Sequence, residues 1–262
     1  MPYAEGRLIH DADAHIMETP ELLPAFADPG IRERIHVREF AGAVGGEGTD
    51  QHIAEMRRAH ADPGFRARDA EEIMLRKNWK ATGSFLKDDR PQALDLLGFV
   101  SQLVFNTFWS SYLNELEHGD DVELAYGAAR AHNRALTDFC AVDSRLLPAL
   151  YVPLMDFERS AAMAGEAIRM GASALLVPSA CPAKHAPSHL SLYPVWRQAE
   201  EAGIPVVMHV GGGGRLIDPM YFENGRPREK DFHGGAENFR SIDYMAIPVP
   251  PAQTSSSNSM LP

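Results

Sequence analysis

Cysteine is scarce in this sequence and long apolar runs are absent. The 262 residues include two cysteines, Cys140 and Cys181, which form no CxxC pair and allow at most one disulfide. No apolar run approaches the ~20 residues that a membrane-spanning helix needs, and the N-terminus lacks the apolar core of a secretory signal. These absences predict a cytoplasmic chain without a membrane partner.

Basic residues are few relative to acidic ones. The 25 Lys and Arg residues and 36 Asp and Glu residues give a formal net charge of −11 with histidine neutral. An acidic surface repels phosphate groups, so nucleic acid is not an expected partner. Apolar residues make up 45% of the chain and charged residues 23%, which is a composition typical of a folded globular domain.

Short apolar runs recur along the chain and alternate with helical patterns. Because the runs from the third onward are apolar almost throughout, they are typical of parallel strands that are covered on both faces by helices. The second run is also rich in residues that favour strands. The five predicted strands cover residues 8–15, 102–108, 147–154, 174–178 and 205–210.

Helical patterns fill the segments between the predicted strands. The longest covers residues 122–142, where apolar residues recur near helical spacing. Asp156 and Ser191 are the predicted N-caps of the next two helices, and Gly171 and Gly203 are their predicted ends. Shorter helical pieces are predicted near 50–60, 69–81 and 90–98.

A parallel sheet of this kind belongs either to a barrel or to an open doubly wound sheet. An open sheet usually binds its ligand on glycine-rich turns, but the one glycine run, 211–214, lacks a GxGxxG pattern. Polar side chains instead end the strands, where barrel active sites are built. We therefore predict an α/β fold, an incomplete TIM-type (β/α) barrel with about five of the eight parallel strands. The three missing units would need ~100 further residues, so truncation at the C-terminus is expected.

The predicted domain organisation is a partial barrel over residues 1–253. Within it, 215–250 is rich in glycine, proline and charge, and is predicted to be a long excursion with short helices after the fifth strand. Residues 254–262 are predicted to form a disordered tail. Because an incomplete barrel leaves an open sheet edge and exposed apolar surface, association into a homo-oligomer is a further expectation.

Acidic and histidine side chains end the first predicted strand. Asp11, Asp13 and His15 alternate along it, so they are predicted to share the face that lines the barrel. His10 is predicted to point the other way. Carboxylate and imidazole groups two residues apart both reach one divalent cation of the zinc, manganese or iron type. The plain alternative is a polar strand end in which Asp13 caps the segment that follows.

The fifth predicted strand ends in His209, at the same end of the barrel as His15. The glycines at 211–214 leave room for a ligand to approach. A core or rim role is the ordinary reading of one histidine after an apolar run. Taken with the first strand, however, Asp13, His15 and His209 form a predicted metal site that keeps a position open for water or substrate.

These residues resemble the amidohydrolase superfamily, in its amidohydrolase-related branch. That branch includes aminocarboxymuconate semialdehyde decarboxylase and the resorcylate-type decarboxylases. Residues 11–15 resemble its HxH-type motif, and 204–209 resemble its metal-binding histidine strand. The segment 131–148 looks like the helix and turn before its third strand and is the most specific part, while 167–178 resembles the next unit. The resemblance extends to about residue 253.

The resemblance implies a divalent metal ion, with zinc first and manganese or iron as alternatives. It makes Asp13 the first ligand of the HxH motif, a departure from histidine, His15 the second ligand and His209 the third. The family's catalytic histidine on the sixth strand and aspartate on the eighth have no counterpart, so no catalytic residue is assigned. His185 and His233 are candidate substrate-binding residues.

The resemblance also implies a reaction. The first expectation is a non-oxidative decarboxylase that acts on a small aromatic or semialdehyde carboxylic acid. One alternative is a metal-dependent hydrolase of an ester, lactone or amide. Another is a catalytically inactive fragment that lacks the last barrel strands.

Overall fold

Five parallel strands form a curled half-barrel in the computed structural model, which describes residues 3–4, 6–36, 49–179 and 182–209. The strands follow one another across the sheet in chain order, from β1 to β5. This confirms the predicted α/β fold with an incomplete TIM-type barrel. The strands are β1 Ile9–His15, β2 Phe99–Phe105, β3 Leu146–Tyr151, β4 Ala174–Val177 and β5 Val206–Met208.

Helices follow or precede each strand in the described part of the chain. Within the described residues, none of them is both long enough and apolar enough to cross a membrane. The α-helices are α1 Leu22–Phe26, α2 Pro29–Arg32, α3 Thr49–Ala61, α4 Pro63–Arg66, α5 Asp69–Glu72, α6 Arg90–Leu97, α7 Trp109–Glu117, α8 Val122–Cys140, α9 Phe157–Arg169 and α10 Tyr193–Ala202. Short 3-10 helices cover Asn78–Lys80, Lys87–Asp89 and Leu190–Leu192.

Two predicted helix ends are correct and one predicted cap is wrong. Asp156 accepts a hydrogen bond from the Arg159 amide at 2.9 Å, which caps α9 as predicted. Gly171 follows the C-cap of α9 and Gly203 ends α10, both with positive φ, 92° and 69°. Ser191 caps nothing with its side chain. Its amide instead donates to His189 Nδ1 at 3.1 Å, so His189 caps the 3-10 helix that leads into α10.

The structure differs from the predicted helices at two further places. The predicted helical piece at 69–81 is split, because Asn78 has φ of 52°, a left-handed conformation that an α-helix does not accommodate. Helix α7 was not among the predicted helices. Its inner side carries Trp109, Tyr112 and Leu113, which are buried at helical spacing.

The core lies between the sheet and the covering helices. Strand β4 is buried along its whole length, and Ala149 and Leu150 in β3 are fully buried. Helix α8 packs against β3 with small residues such as Ala128 and Ala131, which allow a close approach. Residues 215–262, including the predicted excursion and tail, lie outside the described residues, as does the glycine run at 211–214.

A buried amide joins α8 to β3. Asn133 is fully buried; its Oδ1 accepts from the Tyr151 amide at 2.7 Å, and its Nδ2 donates to the Tyr151 carbonyl at 2.9 Å. The last paired residues of β2 and β3 are Val104 and Pro148, so Asn133 binds the β3 backbone beyond that pairing. One side chain thus replaces a neighbouring strand for both polar groups of Tyr151.

Replacing Asn133 with alanine should lower the free energy of unfolding by about 2–4 kcal/mol, because two buried backbone groups of Tyr151 lose their partner. Chemical denaturation followed by circular dichroism measures the change. Asp138→Asn on the same helix is the control, since its half-exposed carboxylate pairs only with Lys87 at 2.7 Å; we expect it to stay within about 0.5 kcal/mol of the parent chain. An equal decrease in the free energy of unfolding in both variants would contradict the role of Asn133 as the partner of the Tyr151 backbone.

Candidate metal centre

The curl of the sheet brings the ends of β1 and β5 together. His15 is the last residue of β1, and His209 follows β5. In a flat sheet these strands would be separated by four steps of ~4.8 Å, or ~19 Å. In this structure the two Nε2 atoms are 3.2 Å apart, and the rings meet edge to face with centroids 4.8 Å apart. The two histidines therefore face each other across the interior of the half-barrel.

Asp13 completes a group of three, called here the Asp13/His15/His209 cluster. Its Oδ1 lies 3.2 Å from His15 Nε2 and 2.8 Å from His209 Nε2. A cation held by bonds of ~2.0–2.1 Å in tetrahedral geometry has donor atoms separated by ~3.3 Å. The observed spacing and the donor set of one carboxylate and two imidazoles fit a divalent ion of the zinc type.

A β-bulge decides which side chains of β1 reach the cluster. Asp11 pairs with Gln102 and Ala14 pairs with Val104, so three steps along β1 match two steps along β2. The extra residue lies within the Ala12–Asp13 stretch and reverses the alternation of β1. Residues before the bulge therefore face the opposite side from the one that simple alternation assigns to them.

The prediction that Asp11 shares a face with Asp13 and His15 is wrong for this reason. The Asp11 carboxylate instead accepts a hydrogen bond from Gln102 Nε2 at 2.9 Å, on the other side of the sheet. The prediction for His10 is wrong as well. Its ring bonds Ser101 Oγ at 2.8 Å, on the face of β2 that also carries Phe105, the partner of His15.

The ring of His15 is held in one orientation by the segment after β2. Its Nδ1 donates to the Asn106 carbonyl at 2.7 Å, and Thr107 Oγ1 lies 3.1 Å away. This leaves Nε2 directed at the cluster, as in histidines that bind metals through one nitrogen and donate from the other. Phe105, itself buried, covers both rings, with centroids 5.9 Å from His15 and 5.0 Å from His209.

The charges of the cluster stabilise one another. Hydrogen bonds from His15 and His209 hold the pKa of the Asp13 carboxyl well below its usual range. Burial of the His15 ring acts to lower its pKa, but the hydrogen bond to Asp13, the charge of that carboxylate and the bond to Asn106 together raise it above the usual value. Without a metal, hydrogen bonds from the two imidazoles therefore stabilise the Asp13 carboxylate.

A cavity of ≈ 430 Å³ lies on the helical surface and one of ≈ 700 Å³ lies beside α1 and α3, and no cluster residue lines either of them. A smaller cavity of ≈ 290 Å³ has Asp13 and His15 in its wall, together with Asp11 and Gln102, which bond each other on the other side of the sheet. Three buried donor groups, Thr82, Ser84 and Arg90, line it as well. The cavity therefore borders β1 on the side of Asp11 as well as at the cluster.

Of the two candidate substrate-binding histidines, only His185 lies among the described residues. His185 packs against Phe157, with ring centroids 4.5 Å apart, and against His189 at 5.7 Å. These rings gather near the start of α9, on the side of the sheet where the strands end, and substrate contact by His185 stays a prediction. His233 lies outside the described residues.

Some residues around the site were missed at the level of sequence. Asn106 and Thr107 follow β2 directly, and the same rule that selected His15, a polar residue at a strand end, would have found them. Glu18 and Arg90 carry no such signal. Both are buried charged residues, whose partners are fixed only by the folded chain.

Comparison with known proteins identifies the family of this chain. A model of the amidohydrolase family matches residues 11–248. The chain belongs to the amidohydrolase family. This confirms the resemblance drawn from the sequence. A search of curated proteins finds no match.

A solved structure of an amidohydrolase shares the fold of this chain. An amidohydrolase of Mycobacterium avium subsp. paratuberculosis K-10 has a TM-score of 0.58 at 20% identity, over 81% of this chain and 61% of that one. A 5-carboxyvanillate decarboxylase of Novosphingobium aromaticivorans, with bound manganese and 3-methoxy-4-hydroxy-5-nitrobenzoic acid, has a TM-score of 0.49 at 18% identity, over 83% and 55%. The chain therefore spans less than two thirds of the length of either protein.

Replacing Asp13 with asparagine should lower the pKa of His15, because the carboxylate is the main group that raises it. NMR titration of the metal-free chain measures this. His132 is an internal control, since burial lowers its pKa to about 4 and Asp13 takes no part in that.

The same shift links the cluster to stability. Because the pKa of His15 is raised on folding, the ring contributes stability that is present below pH ~6.5 and is lost as the pH rises through the folded-state pKa. In Asp13→Asn, the free energy of unfolding should fall less steeply as the pH rises through this range. An unchanged pKa of His15 in the variant would contradict the described geometry.

Proposed function

We propose that this amidohydrolase-family chain is a metal-dependent enzyme that releases CO2 from a small carboxylic acid. The observation that carries the proposal is the Asp13/His15/His209 cluster, whose donor atoms all lie within 4.8 Å of one another. Three donors from two distant strands, converging at the catalytic end of a parallel barrel sheet, are the usual basis of a metal site with an open position.

Asp13, His15 and His209 would hold the ion through one carboxylate oxygen and two imidazole Nε2 atoms. Zinc suits this donor set first, with manganese and iron as alternatives. A bound divalent cation supplies Lewis-acid polarisation of a substrate oxygen. The chain itself fixes the donors before binding, because Asn106 orients the ring of His15 and Phe105 supports both rings.

Charge balance favours an anionic substrate. One carboxylate and two neutral imidazoles leave a net charge of about +1 around a divalent ion, which attracts a carboxylate. The adjoining cavity is lined by the buried hydroxyls of Thr82 and Ser84, which have no hydrogen-bond partner among the described residues, and by the carboxylates of Asp11 and Asp13. The buried Arg90 beside them bonds the side chain of Gln102 and the backbone carbonyls of His15 and Gly83, and the charge of Asp11 acts on it as well.

Decarboxylation is proposed over hydrolysis because of the sequence resemblance described above. The matching segments, 131–148 above all, resemble a branch of the family that is rich in decarboxylases. In such a reaction the carbon–carboxylate bond breaks, CO2 leaves, and a proton takes its place on the carbon.

Metal content tests the site. Mass spectrometry of the purified chain should find close to one divalent ion per chain, and the His15→Ala/His209→Ala variant should lose it, because two of three ligands are removed. His118→Ala is the control, since this exposed histidine bonds the Asn114 carbonyl of its own helix; it should keep the metal. A folded parent chain without metal, or a double variant that retains it, would contradict the proposed site.

Product analysis tests the reaction. The metal-loaded chain should release 13C-labelled CO2 from carboxyl-labelled hydroxybenzoates, and the double variant should not. Phenyl esters and lactones, assayed in parallel, report the hydrolytic alternative. Ester or lactone cleavage without CO2 release would replace decarboxylation by hydrolysis, and a loaded chain inactive on every class would contradict an enzymatic role for this chain.

A further inference from the structure

Glu18 is a buried carboxylate close to the cluster but outside it. The residue is 1% exposed. Its Oε1 accepts a hydrogen bond from the Thr107 amide at 2.9 Å, and its Oε2 accepts one from the Phe108 amide at 2.9 Å. Both carboxylate oxygens thus bind backbone donors of the segment that follows β2. We call Glu18 and these two amides the Glu18 clamp.

Further bonds hold the two sides of the clamp in register. Thr107 Oγ1 donates to the Ile16 carbonyl at 2.8 Å, and the Ile16 amide donates to the Phe105 carbonyl at 3.0 Å. The chain after β1 and the chain after β2 are therefore joined by hydrogen bonds in both directions. This arrangement extends the strand pairing beyond the last residues of the two strands.

Trp79 supports the clamp from behind. Its indole Nε1 lies 3.1 Å from the Met17 carbonyl and 3.2 Å from the Glu18 carbonyl, so it donates to the backbone of the clamp. Its ring stacks on Phe108, with centroids 5.0 Å apart and planes inclined by 25°. Because Trp79 is fully buried, the clamp cannot shift without opening the core.

One peptide group connects the clamp to the cluster. Its N–H belongs to Thr107 and is bound by Glu18, and its C=O belongs to Asn106 and accepts from His15 Nδ1 at 2.7 Å. The peptide unit is planar and rigid, so fixing its N–H fixes the direction of its C=O. A carboxylate at the N–H end also polarises the carbonyl, which makes that oxygen a stronger acceptor.

We propose that Glu18 is a positioning residue that acts on His15 through the Asn106–Thr107 peptide group. The clamp keeps the proton of the neutral ring on Nδ1 and so leaves the Nε2 lone pair to the cluster. A carboxylate bonded to the free nitrogen of a metal-binding histidine does the same directly. Here the peptide group stands between the two. Glu18 itself touches neither the cluster donors nor the cavity beside them.

Glu117 supplies a matched control. It is also 1% exposed, and its two oxygens accept from the Leu154 amide at 2.6 Å and from the Tyr151 hydroxyl at 2.8 Å. Exchange of either glutamate for glutamine removes one acceptor from a buried pair of donors, so both variants should lose stability. Only Glu18 is connected to His15.

Zinc affinity of the full chain is the first readout, and this part rests on the proposed function. Competition titration should show about a 10–100-fold weaker affinity for Glu18→Gln, the size usual when a partner of a metal-binding histidine is removed. The zinc affinity of Glu117→Gln should stay within about twofold of that of the parent chain. This should hold even if Glu117→Gln and Glu18→Gln lower the denaturation midpoint by the same amount. Parent-like affinity in Glu18→Gln, or an equal loss in Glu117→Gln, would overturn the proposal.

The second readout needs no metal. Nitrogen-15 NMR of the metal-free chain, at a pH where the ring is neutral, should show the His15 proton on Nδ1 in the parent and in Glu117→Gln, and a shift toward Nε2 in Glu18→Gln. A parent chain that takes up no zinc would contradict the proposed function, while this signal still decides the role of Glu18. The same position of the His15 proton in all three chains would overturn the positioning role of Glu18.

If Glu18→Gln does not fold, both measurements are made on Glu18→Asp. Its carboxylate is one methylene shorter and reaches the two amides less well, so a several-fold loss of zinc affinity and a partial shift of the His15 proton are expected. A zinc affinity and a His15 proton position equal to those of the parent chain would overturn the proposal.

Discussion

The curl of the parallel sheet is the constraint on which the rest of the structure depends. His15 and His209 are 194 positions apart in the chain, and they meet only because the sheet bends β5 round to face β1. Twist between neighbouring strands supplies the bend, and the covering helices stabilise it by burying the outer face. The strands with the most buried side chains are β3 and β4, in the middle of the sheet. The most buried part of the sheet therefore lies between the two strands whose ends carry His15 and His209.

Strand positions and the two histidines could be predicted from the sequence because both follow from local rules. An apolar run marks each buried parallel strand, and the last residue of such a run lies at the catalytic end of the sheet. His15 and His209 satisfy that rule, whatever the exact register of the strands. The faces of Asp11 and His10 could not be predicted in the same way. They depend on a bulge that exists only in the pairing of β1 with β2, between residues about 91 positions apart.

Buried charge is the second feature that local patterns do not show. A glutamate between Met17 and Thr19 reads as a solvated residue, since carboxylates are seldom buried without partners. Glu18 is buried because two backbone amides, 89 and 90 positions away, replace water around its oxygens. Arg90 is similar, with acceptors contributed by β1, β2 and the turn at Gly83. Sequence reasoning located the donors of the cluster but not the residues that orient them, because those are defined by contacts between distant segments.

The metal-free and metal-bound forms of such a cluster differ mainly in what neutralises Asp13. Without metal, hydrogen bonds from His15 and His209 stabilise its carboxylate and hold its pKa low, and the same carboxylate raises the pKa of His15. A divalent ion would displace the protons from Nε2, so proton and metal compete for the same atoms. The donor atoms are already 2.8–3.2 Å apart without the ion, close to the spacing of ligands around one cation, ~3.3 Å. The side chains need little rearrangement on binding, and the segment after β2 fixes His15 in advance.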